Sequence, residues 1–395
     1  MGIIFSSFNG LEPKLRFPNF IEKWTRFEAE NIFKNITDKN HPTDTVLTIQ
    51  QGRGTLPRDL SGRNILYDNT NTKNYKRVQF GDFIIHLRSF EGGLEMANEQ
   101  GIVSPAYTIL RYIKPIAFGF YKAYFRTNEF INHILSKSVE GIRDGKQISY
   151  DAFKWLAIPY CQLEEQQKIA DFLSLVDQRI EKQRQLVESL KKYKRGLVFH
   201  LFNKNNPINK SIPMRDLLTE INDRNSVGLR VCSVAVIKGI VDQIEHLGRS
   251  FSASDTSKYR RVHFGDVVYT KSPTGDFPFG IVKQSKIKED VAVSPLYGVY
   301  KPSSYSTGNL LHLYFEQYQY ANNYIRSLAQ KGAKNTINIT TQHFLEKNII
   351  FPYNEVDRVY FSNFFEKLNK LIKFNEGELE KAQSLKKGLL QQMFI

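Results

Sequence analysis

The chain has 395 residues, which is enough for two domains with hydrophobic cores of their own. Its 41% hydrophobic and 13% aromatic residues exclude an intrinsically disordered protein, and no run of 18 apolar residues predicts a membrane span. The formal net charge of +15 favours a polyanionic partner such as nucleic acid, although a need for solubility alone would also explain a basic chain.

The two cysteines, Cys161 and Cys232, lie far apart and lack metal-ligand spacing. This usage favours a reducing compartment over an oxidising one. The N-terminal residues also lack the apolar run of a signal peptide. We therefore expect a cytoplasmic protein without disulfides or a bound metal.

In chain order, residues 1–23 form a polar, proline-containing lead-in, and a first globular unit follows up to residue 160. Short apolar runs at 45–49 and 83–87 predict strands, and polar turn clusters separate such runs. The aromatic stretch 115–138 has a helical pattern. These alternations indicate a mixed α and β domain.

One long helix is predicted over residues 164–202, which contain no proline. Its apolar positions alternate in steps of four and three, the 3.5-residue repeat of a coiled coil. Gln183 and Lys194 interrupt this seam with polar side chains, and a buried amide such as Gln183 is expected to fix the register. The positions expected to pair with another helix are Ile169, Leu173, Val176, Ile180, Val187, Leu190, Leu197 and Leu201.

The same seam returns 192 residues later, without a gap, in a second predicted helix over 355–395. The polar breaks also match, since Asn375 corresponds to Gln183 and Lys386 to Lys194. A shared register with shared exceptions indicates that the chain contains two copies of one unit. The apolar positions of the second seam are Phe361, Phe365, Leu368, Ile372, Leu379, Ala382, Leu389 and Met393.

The globular parts repeat as well. KRVQFGDFIIH at 76–86 matches RRVHFGDVVYT at 260–270, and GIRDGKQIS at 141–149 matches GAKNTINIT at 332–340. The middles of the two units are less alike than their ends. We therefore expect two similar frames that recognise different targets.

Connectivity then predicts the architecture. Because the second unit joins the end of the first helix to the start of the second, paired helices must run antiparallel. The predicted fold is α+β, with two pseudo-symmetric mixed α/β target-recognition domains joined by two long antiparallel coiled-coil helices. The predicted segments are 1–163, 164–202, 203–354 and 355–395. The two helices together hold 15 basic and 12 acidic residues, so most of the basic excess lies in the globular domains.

Three segments and the two Phe-Gly-Asp turns at 80–82 and 264–266 carry a family resemblance. The segments are PKLRFPNF at 13–20, GIRDGKQISYDAFKWLAIPYCQLEEQQ at 141–167, and LEEQQKIADFLSLVDQRIEKQRQLVESLKKYKRGL at 163–197. They resemble the specificity subunits of Type I restriction-modification systems, and the likeness extends over nearly the whole chain. One departure is that the second helix lacks the Glu-Glu-Gln-Gln signature. This departure leaves open how symmetrically the two helices hold partner subunits.

The resemblance implies a sequence-specific DNA-recognition subunit. Its two domains would each read one half of a bipartite site in double-stranded DNA, and its helices would dock two modification (methyltransferase) subunits. Restriction subunits would join through the assembled complex. The resemblance also implies that this chain has no catalysis and no cofactor of its own: the modification subunits would bind S-adenosylmethionine, and restriction subunits, where present, ATP and magnesium.

Two alternatives come from other functional classes. One is a cryptic nuclease or methyltransferase, although no phosphate-binding loop, no amino-methyltransferase tetrapeptide and no zinc-type histidine pair occurs. The other is a coiled-coil scaffold that binds protein only. A steep dependence of DNA affinity on salt distinguishes a DNA-binding protein from such a scaffold.

Basic and polar residues at matching places in the two units are candidate DNA contacts. For each there is a structural alternative, namely a residue that flanks a strand or helix start and faces water. Sequence-specific contacts are expected in the variable middles of the units. The candidates are Gln50, Gln51, Arg53, Tyr75, Lys76, Arg77, Arg143, Lys146, Tyr259, Arg260, Arg261, Lys331 and Lys334.

The repeated Phe-Gly-Asp turns predict three structural roles. Phe80 and Phe264 are expected in the core, as large aromatic residues usually are. Each glycine is expected to adopt backbone angles unusual for other residues. Each aspartate is expected to cap its turn.

Overall fold

The computed structural model describes residues 4–5, 12–61, 69–141, 146–247, 255–328, 330–331 and 337–394. The chain forms two compact units. Unit 1 contains residues 1–184 and 377–395, and unit 2 contains residues 185–376. These units divide each long helix near its middle, whereas the predicted segments kept each helix whole.

Unit 1 is built from short strands and helices that precede the first long helix. Its strands are β1 (Ile4–Phe5), β2 (Leu15–Arg16), β3 (Thr25–Glu28), β4 (Phe33–Ile36), β5 (Leu47–Gln50), β6 (Gly54–Pro57), β7 (Lys76–Val78), β8 (Phe83–Ile85), β9 (Glu95–Met96), β10 (Gly101–Val103), β11 (Thr108–Tyr112), β12 (Val139–Glu140), β13 (Gln147–Ile148) and β14 (Ala157–Tyr160). Its short helices are α1 (Ser89–Gly92), α2 (Phe118–Tyr124) and α3 (Tyr150–Phe153), and a π-helical segment covers Glu129–Ile134.

Unit 2 repeats this arrangement between the two long helices, α4 (Leu163–Leu201) and α9 (Glu355–Met393). Its strands are β15 (Asn209–Pro213), β16 (Leu218–Glu220), β17 (Cys232–Ala235), β18 (Gly239–Asp242), β19 (Arg260–Val262), β20 (Val267–Tyr269), β21 (Val282–Gln284), β22 (Val291–Val293), β23 (Gly298–Pro302), β24 (Gln330–Lys331), β25 (Ile337–Asn338) and β26 (Asn348–Pro352). Its helices are α5 (Gln243–Leu247), α6 (Tyr305–Glu316), α7 (Tyr318–Ile325) and α8 (Thr341–Glu346).

The sheet topology of the two units is the same. A four-stranded antiparallel sheet has the order β4-β11-β8-β9 in unit 1 and β16-β23-β20-β21 in unit 2. Two-stranded pairings match in order as well: β5-β6 with β17-β18, β7-β10 with β19-β22, β3-β14 with β15-β26, and β12-β13 with β24-β25. A further pair, β1-β2, occurs in the lead-in of unit 1. The prediction of a duplicated mixed α/β fold is confirmed.

Both faces of each central sheet are buried. In unit 1, Phe83 and Leu110 face the larger core, which includes α2 and parts of α4 and α9. Their neighbours Ile84 and Ile109 face a smaller, separate core against the β5–β6 hairpin. This alternation follows from the two-residue period of strand side chains. Each sheet therefore has a helix face and a hairpin face.

The long helices are 39 residues each, and within each unit their halves run in opposite directions. In unit 1, Glu165 and Phe394 both contact Trp24, whereas Asp177 pairs with Lys386. Later residues of α4 therefore lie beside earlier residues of α9, so the two helices are antiparallel.

In unit 2 the same reversal occurs. Lys191 pairs with Glu376 at 2.5 Å, and Phe202, past the end of α4, stacks on Phe351, which precedes α9. The predicted seam positions are buried or half-buried along both helices, while residues off the seam such as Leu175 and Leu385 are exposed. Burial of such a stripe is the usual source of helix stability within proteins.

The polar breaks in the seam have partners. Lys194 forms an ion pair with Glu316 of α6 at 2.9 Å, and Lys386 forms one with Asp177 at 2.5 Å. Asn375 is buried and donates its side-chain amide to the Leu371 carbonyl of its own helix at 2.8 Å. The matching lysines thus bind different elements, one a unit 2 helix and one the other long helix.

The prediction that Phe80 and Phe264 lie in the core is wrong. Phe80 is 57% exposed and packs edge-on against Phe118, and Phe264 is 49% exposed and stacks on Tyr305. The tight turn directs each ring outward against the start of a helix, so the ring is only partly covered. Aromatic composition alone does not reveal this geometry.

The glycine and aspartate of each turn behave as predicted. Gly81 and Gly265 both have φ of +88°, a region that side chains with a Cβ rarely adopt. The Asp82 carboxylate accepts from the Gln79 amide, and the Asp266 carboxylate from the His263 amide, both at 2.8 Å. The two turns are therefore closed by the same hydrogen bond.

Alanine at these two glycines makes a matched test. A Cβ at position 81 would lie 2.5 Å from the Phe118 ring, whereas a Cβ at position 265 would have its nearest neighbour at 3.4 Å. Both variants lose about 1–2 kcal/mol from the left-handed backbone, and we expect Gly81→Ala to lose about 1–3 kcal/mol more from overpacking. Urea unfolding of both variants measures the difference. Equal losses would show that the Phe118 ring moves aside freely.

A buried lysine and two half-buried titratable side chains lie close together in unit 2. Lys283 of β21 is 2% exposed, and its ammonium lies 3.8 Å from the Glu316 carboxylate. Burial alone would raise the pKa of Glu316, yet its neighbours His312, Lys194 and Lys283 lower that pKa to about 2. Burial also lowers the pKa of His312 to about 3, so its imidazole is neutral at pH 7 and accepts from the Gln284 amide.

This histidine predicts a pH dependence. Because the folded-state pKa of His312 lies below its usual value of 6.5, unfolding takes up a proton between those values. Stability is full above pH 6.5 and falls as the pH is lowered, by up to about 1.4 kcal/mol per pH unit. In His312→Gln, urea unfolding between pH 6.5 and 5 should show a correspondingly smaller slope. An unchanged slope would mean that His312 already binds its proton in the folded chain.

Candidate nucleic-acid interface

The β5–β6 hairpin and the loop 86–94 form one surface of unit 1, here called hairpin surface 1. The hairpin turn contains Gln51 and Arg53, both exposed, and directly follows Gln50. The Gln51 side chain lies against the loop, since a Cβ on Gly92 would approach its amide nitrogen to 1.7 Å. Three of the predicted contacts therefore come together at one place, in the variable middle of the unit.

The hairpin is held from below by a buried carboxylate. Glu95 is fully buried, and it accepts from the Gly52 amide at 2.7 Å and from the Gly54 amide at 2.9 Å. Arg126 of the segment after α2 pairs with Glu95 and donates to the Gly52 carbonyl at 3.0 Å. The turn is thus fixed by charge-assisted hydrogen bonds, which are about twice as strong as neutral ones.

A cleft of about 460 Å³ opens on this surface. Its character is polar, and it combines amide, guanidinium, imidazole and phenol groups. The lining residues are Thr48, Ile49, Gln50, Gln51, Leu56, Ser61, His86, Leu87, Arg88 and Tyr107. These are the groups that read base edges and phosphates in nucleic acids.

His86 is a residue that sequence reasoning missed. Its Nε2 atom is buried, and no described residue hydrogen-bonds to it. Burial lowers its pKa, which favours the neutral ring. Its Nδ1 atom accepts from the Arg88 amide at 3.3 Å, so the Nε2–H donor is left without a partner among the described residues. Leu87 and Arg88 beside it are exposed, Leu87 by 64%. The sequence feature that could have indicated His86 as a candidate was its place in the loop HLRSF, directly after a predicted strand.

Unit 2 has the equivalent hairpin surface 2, formed by the β17–β18 hairpin and the loop 270–281. Here too the hairpin meets the loop, since a Cβ on Gly275 would lie 3.3 Å from Val236. The hairpin tip is different in chemistry, with Ile237 93% exposed and Lys238 exposed beside it. The same frame therefore presents amides in unit 1 and an apolar and a cationic side chain in unit 2.

The basic pair before each Phe-Gly-Asp turn is engaged within its own unit. Lys76 donates to the Tyr107 carbonyl at 2.6 Å, and Arg77 pairs with Asp44 at 2.9 Å. In unit 2, Arg261 pairs with Asp290, and Arg260 donates to Asn222 at 2.9 Å. These contacts fit the alternative to DNA binding, in which the basic residues support the strand that they flank. The adjoining tyrosines, Tyr75 and Tyr259, are half-buried.

The remaining candidates lie in the basic loops before the long helices. Arg143 and Lys334 fall outside the described residues. Lys331 lies in β24, whose side chains are not described. Lys146 is exposed, and its ammonium lies 5.6 Å from the centre of the Phe90 ring, which belongs to α1 of hairpin surface 1. A DNA-binding role for these residues stays a prediction.

The Glu-Glu-Gln-Gln signature at the start of α4 has structural contacts. Glu165 binds Arg16 through both carboxylate oxygens, at 2.6 and 2.8 Å. Gln166 is fully buried, accepts from the Ala117 amide at 3.1 Å and donates to the Cys161 carbonyl at 2.8 Å. These two residues therefore attach α4 to unit 1.

The second copy reaches the same attachment with other residues. Arg358 occupies the position of Gln166, 192 residues later, and donates to the carbonyls of Pro352 and Tyr353 at 2.8 and 2.9 Å. Tyr353 in turn corresponds to Cys161. The missing signature in the second helix is thus replaced by an arginine with an equivalent hydrogen bond.

The sequence of unit 1 and of the first long helix matches a known family. Residues 27–192, which include hairpin surface 1 and the signature of α4, match the family model described as Type I restriction modification DNA specificity domain. This chain carries a Type I restriction-modification DNA specificity domain. The predicted resemblance is confirmed. The matched region contains the β5–β6 hairpin, the cleft of hairpin surface 1 and most of α4. A comparison with curated protein sequences found no match.

Solved structures with TM-scores above 0.5 share the fold over nearly the whole length of the chain. The Type-I restriction-modification system S subunit from M. genitalium matches with a TM-score of 0.57 at 13% identity, over 97% of this chain and 99% of that one. A chain described under complex assembly and conformational transition of the type I R-M system matches with 0.52 at 14%, over 94% and 97%. The HsdS subunit from Thermoanaerobacter tengcongensis matches with 0.48 at 13%, over 94% and 96%.

Two further observations concern the described part of the chain. No group of three His, Cys, Asp or Glu side chains is placed there to hold a metal ion. No helix among those residues is long and apolar enough to cross a membrane.

Proposed function

We propose that this chain is the DNA-recognition subunit of a Type I restriction-modification complex and that its two units read the two halves of a bipartite target. One observation carries the proposal: the fold of the specificity domain occurs twice in the chain, with a different hairpin surface in each copy. Two recognition domains on one polypeptide suit a DNA target in two parts, just as the two subunits of dimeric DNA-binding proteins each bind one half-site.

The reading chemistry follows from hairpin surface 1. The amides of Gln50 and Gln51 can each form a bidentate pair with adenine, and the guanidinium of Arg88 can do so with guanine. The neutral His86 ring supplies one further donor, its Nε2–H, because its Nδ1 atom accepts from the Arg88 amide. Hairpin surface 2 presents Ile237 for contact with a thymine methyl group and Lys238 for guanine or phosphate.

The chain itself is proposed to be non-catalytic. Two modification subunits would dock on its long helices and supply S-adenosylmethionine and the methyl transfer, and restriction subunits would join the assembled complex. The thiols of Cys161 and Cys232 are free and buried, and burial raises the pKa of Cys232 to about 11. Reduced thiols and a genomic DNA target both suit the cytoplasm.

Methylation mapping of a host genome tests the proposal. The complex with the unchanged chain should methylate one bipartite motif with an indifferent spacer. Combined Gln50→Ala, Gln51→Ala and Arg88→Ala should relax or abolish recognition of one half only, with a cost of about 1–3 kcal/mol for each base that is no longer read. Combined Ile237→Ala and Lys238→Ala should affect the other half only.

Lys137→Ala serves as a matched control, because Lys137 is an exposed cation of unit 1 outside the hairpin surface. It should leave the motif unchanged. A single continuous motif, or loss of the same half in both hairpin variants, would overturn the proposal.

A further inference from the structure

A second cleft in unit 1, here called the helix cleft, lies between α2 and the parts of α4 and α9 that belong to this unit. Its volume is about 360 Å³, within the size range of binding pockets. It is separate from hairpin surface 1. The lining residues are Phe80, Met96, Phe118, Gly119, Lys122, Ala123, Arg126, Ala170, Leu173, Ser174, Asp177, Gln178, Lys386 and Leu390.

The walls of the helix cleft are largely apolar. Phe80 is 57% exposed at its mouth, with the Phe118 ring 5.5 Å from it, and Leu390 of α9 lies on the other side. The floor is closed by small residues, since a Cβ on Gly119 would lie 2.7 Å from that of Ala170. A concave apolar surface beside an exposed aromatic ring is typical of a binding site for a protein segment.

One cation in this cleft, Lys122, has no hydrogen-bond or ion-pair partner among the described residues. It is half-buried, and none of them hydrogen-bonds or pairs with its ammonium. The other cations are committed, Lys386 to Asp177 at 2.5 Å and Arg126 to Glu95. Burial lowers the pKa of Lys122, and Arg126 adds to this effect, whereas the carboxylates of Asp177 and Glu95 act in the opposite direction. A half-buried ammonium is stabilised by an anion brought close to it.

Unit 2 fills the equivalent place with its own side chains. Tyr305 stacks on Phe264 with the ring centres 5.2 Å apart. Lys286 donates to the Tyr305 hydroxyl at 2.7 Å and to the Glu366 carboxylate at 3.2 Å. Aromatic ring, cation and carboxylate thus form a closed cluster. In unit 1 the residue 192 positions before Glu366 is Ser174, which has no carboxylate to offer.

We propose that the helix cleft of unit 1 binds an apolar and acidic segment of a modification subunit, whose carboxylate pairs with Lys122 as Glu366 pairs with Lys286 in unit 2. The inference rests on the proposed function. It adds that the two docking sites are unequal, because unit 2 completes this cluster internally. A protein segment fits better than DNA, since a phosphate backbone would leave Phe80 and Leu390 uncovered.

The test uses the purified full-length chain and the modification subunit of the same system. Lys122→Glu reverses the cation, and Ser174→Glu supplies an internal carboxylate in its place. Each variant should weaken binding of one of the two modification subunits by at least about tenfold, as like charges at an interface do. Binding isotherms and native mass spectrometry report the affinity and the stoichiometry. Lys137→Glu makes the same charge change outside the cleft and should leave both unaffected.

A photo-crosslinking amino acid at position 178, which is exposed at the cleft, identifies the occupant. The expected crosslink joins a modification-subunit peptide with an acidic residue next to apolar ones. A crosslink to DNA, or two equal affinities unchanged by Lys122→Glu and Ser174→Glu, would overturn the inference while leaving the proposed function intact. A chain that binds neither modification subunits nor DNA would instead refute the proposed function itself.

Discussion

Glu165→Ala is expected to lower the free energy of unfolding of unit 1 by about 3–5 kcal/mol, because it leaves the guanidinium of Arg16 buried without its carboxylate. Arg16 is 7% exposed and Glu165 1%. Glu165 also accepts from the Trp24 indole at 3.1 Å, so the substitution removes three hydrogen bonds at once. Urea unfolding measures the loss.

Glu164→Ala is the matched control, since Glu164 is adjacent to Glu165 in sequence and carries the same charge but is exposed. It should change stability by less than about 0.5 kcal/mol. If both variants were equally stable, the ion pair between Arg16 and Glu165 would make no net contribution to the free energy of unfolding. Because the signature residue Glu165 faces inward, Glu165→Ala should act on stability rather than directly on partner affinity.

The second large effect concerns an ion pair whose charges are reversed between the units. Glu95 of β9 pairs with Arg126 in unit 1, and Lys283 of β21 lies 3.8 Å from Glu316 in unit 2. The strand residue and its partner thus exchange their signs while the pair keeps its place in the fold. Glu95→Lys alone should cost about 3–5 kcal/mol, because it sets a buried cation beside the half-buried guanidinium of Arg126.

Glu95→Lys combined with Arg126→Glu should recover most of that stability, since unit 2 already contains the reversed pair. The recovery should not extend to the hairpin. A lysine cannot accept the amide hydrogen bonds that Glu95 receives from Gly52 and Gly54. The double variant is therefore expected to fold yet lose recognition of one half-site. A double-mutant cycle for stability and methylation mapping for recognition separate the two effects.

An additive double variant, as unstable as the sum of Glu95→Lys and Arg126→Glu, would show that the units do not tolerate exchange of this pair. Retained recognition of both half-sites would show that the hairpin keeps its shape without Glu95. The first result contradicts the equivalence of the two ion pairs, and the second contradicts the role of Glu95 in holding the hairpin turn.

The long helices were predictable from sequence because their signal is periodic and local. Apolar side chains three and four residues apart lie on one face, so positions such as Ile169 and Phe365 could be assigned without knowing their partners. The duplication strengthened that prediction, since Asn375 and Lys386 repeat the exceptions as well as the rule. The fold class followed from the helices and the repeated turns.

The partners of individual charges were not predictable in this way. Arg16 lies 149 residues from Glu165, and Arg77 finds Asp44 through a strand pairing that composition does not encode. The charge reversal between the ion pairs of the two units was not predictable for a further reason. Glu95 and Lys283 are 188 residues apart but Arg126 and Glu316 are 190, so different loop lengths obscure the match.

Hairpin surface 1 was predicted only in part. Gln50, Gln51 and Arg53 were selected for their polarity, whereas His86 and Arg88 come to the same cleft through the strand order β11-β8-β9 and the hairpin packed on that sheet. Lys76 and Arg77 were selected for their charge, which the fold uses internally. A charged residue's availability depends on its neighbours in space, and a single sequence does not reveal them.

Each hairpin rests on a small core of its own, on the opposite side of the sheet from the helices. In unit 1 that core includes Leu47 of the hairpin, together with Val78, Ile84 and Val103. Substitutions at the hairpin tip therefore leave the packing of the long helices untouched. Under the proposed function, natural selection can accordingly change the DNA sequence that one unit recognises while the long helices and their partners are inherited unchanged, and the two half-sites can diverge independently.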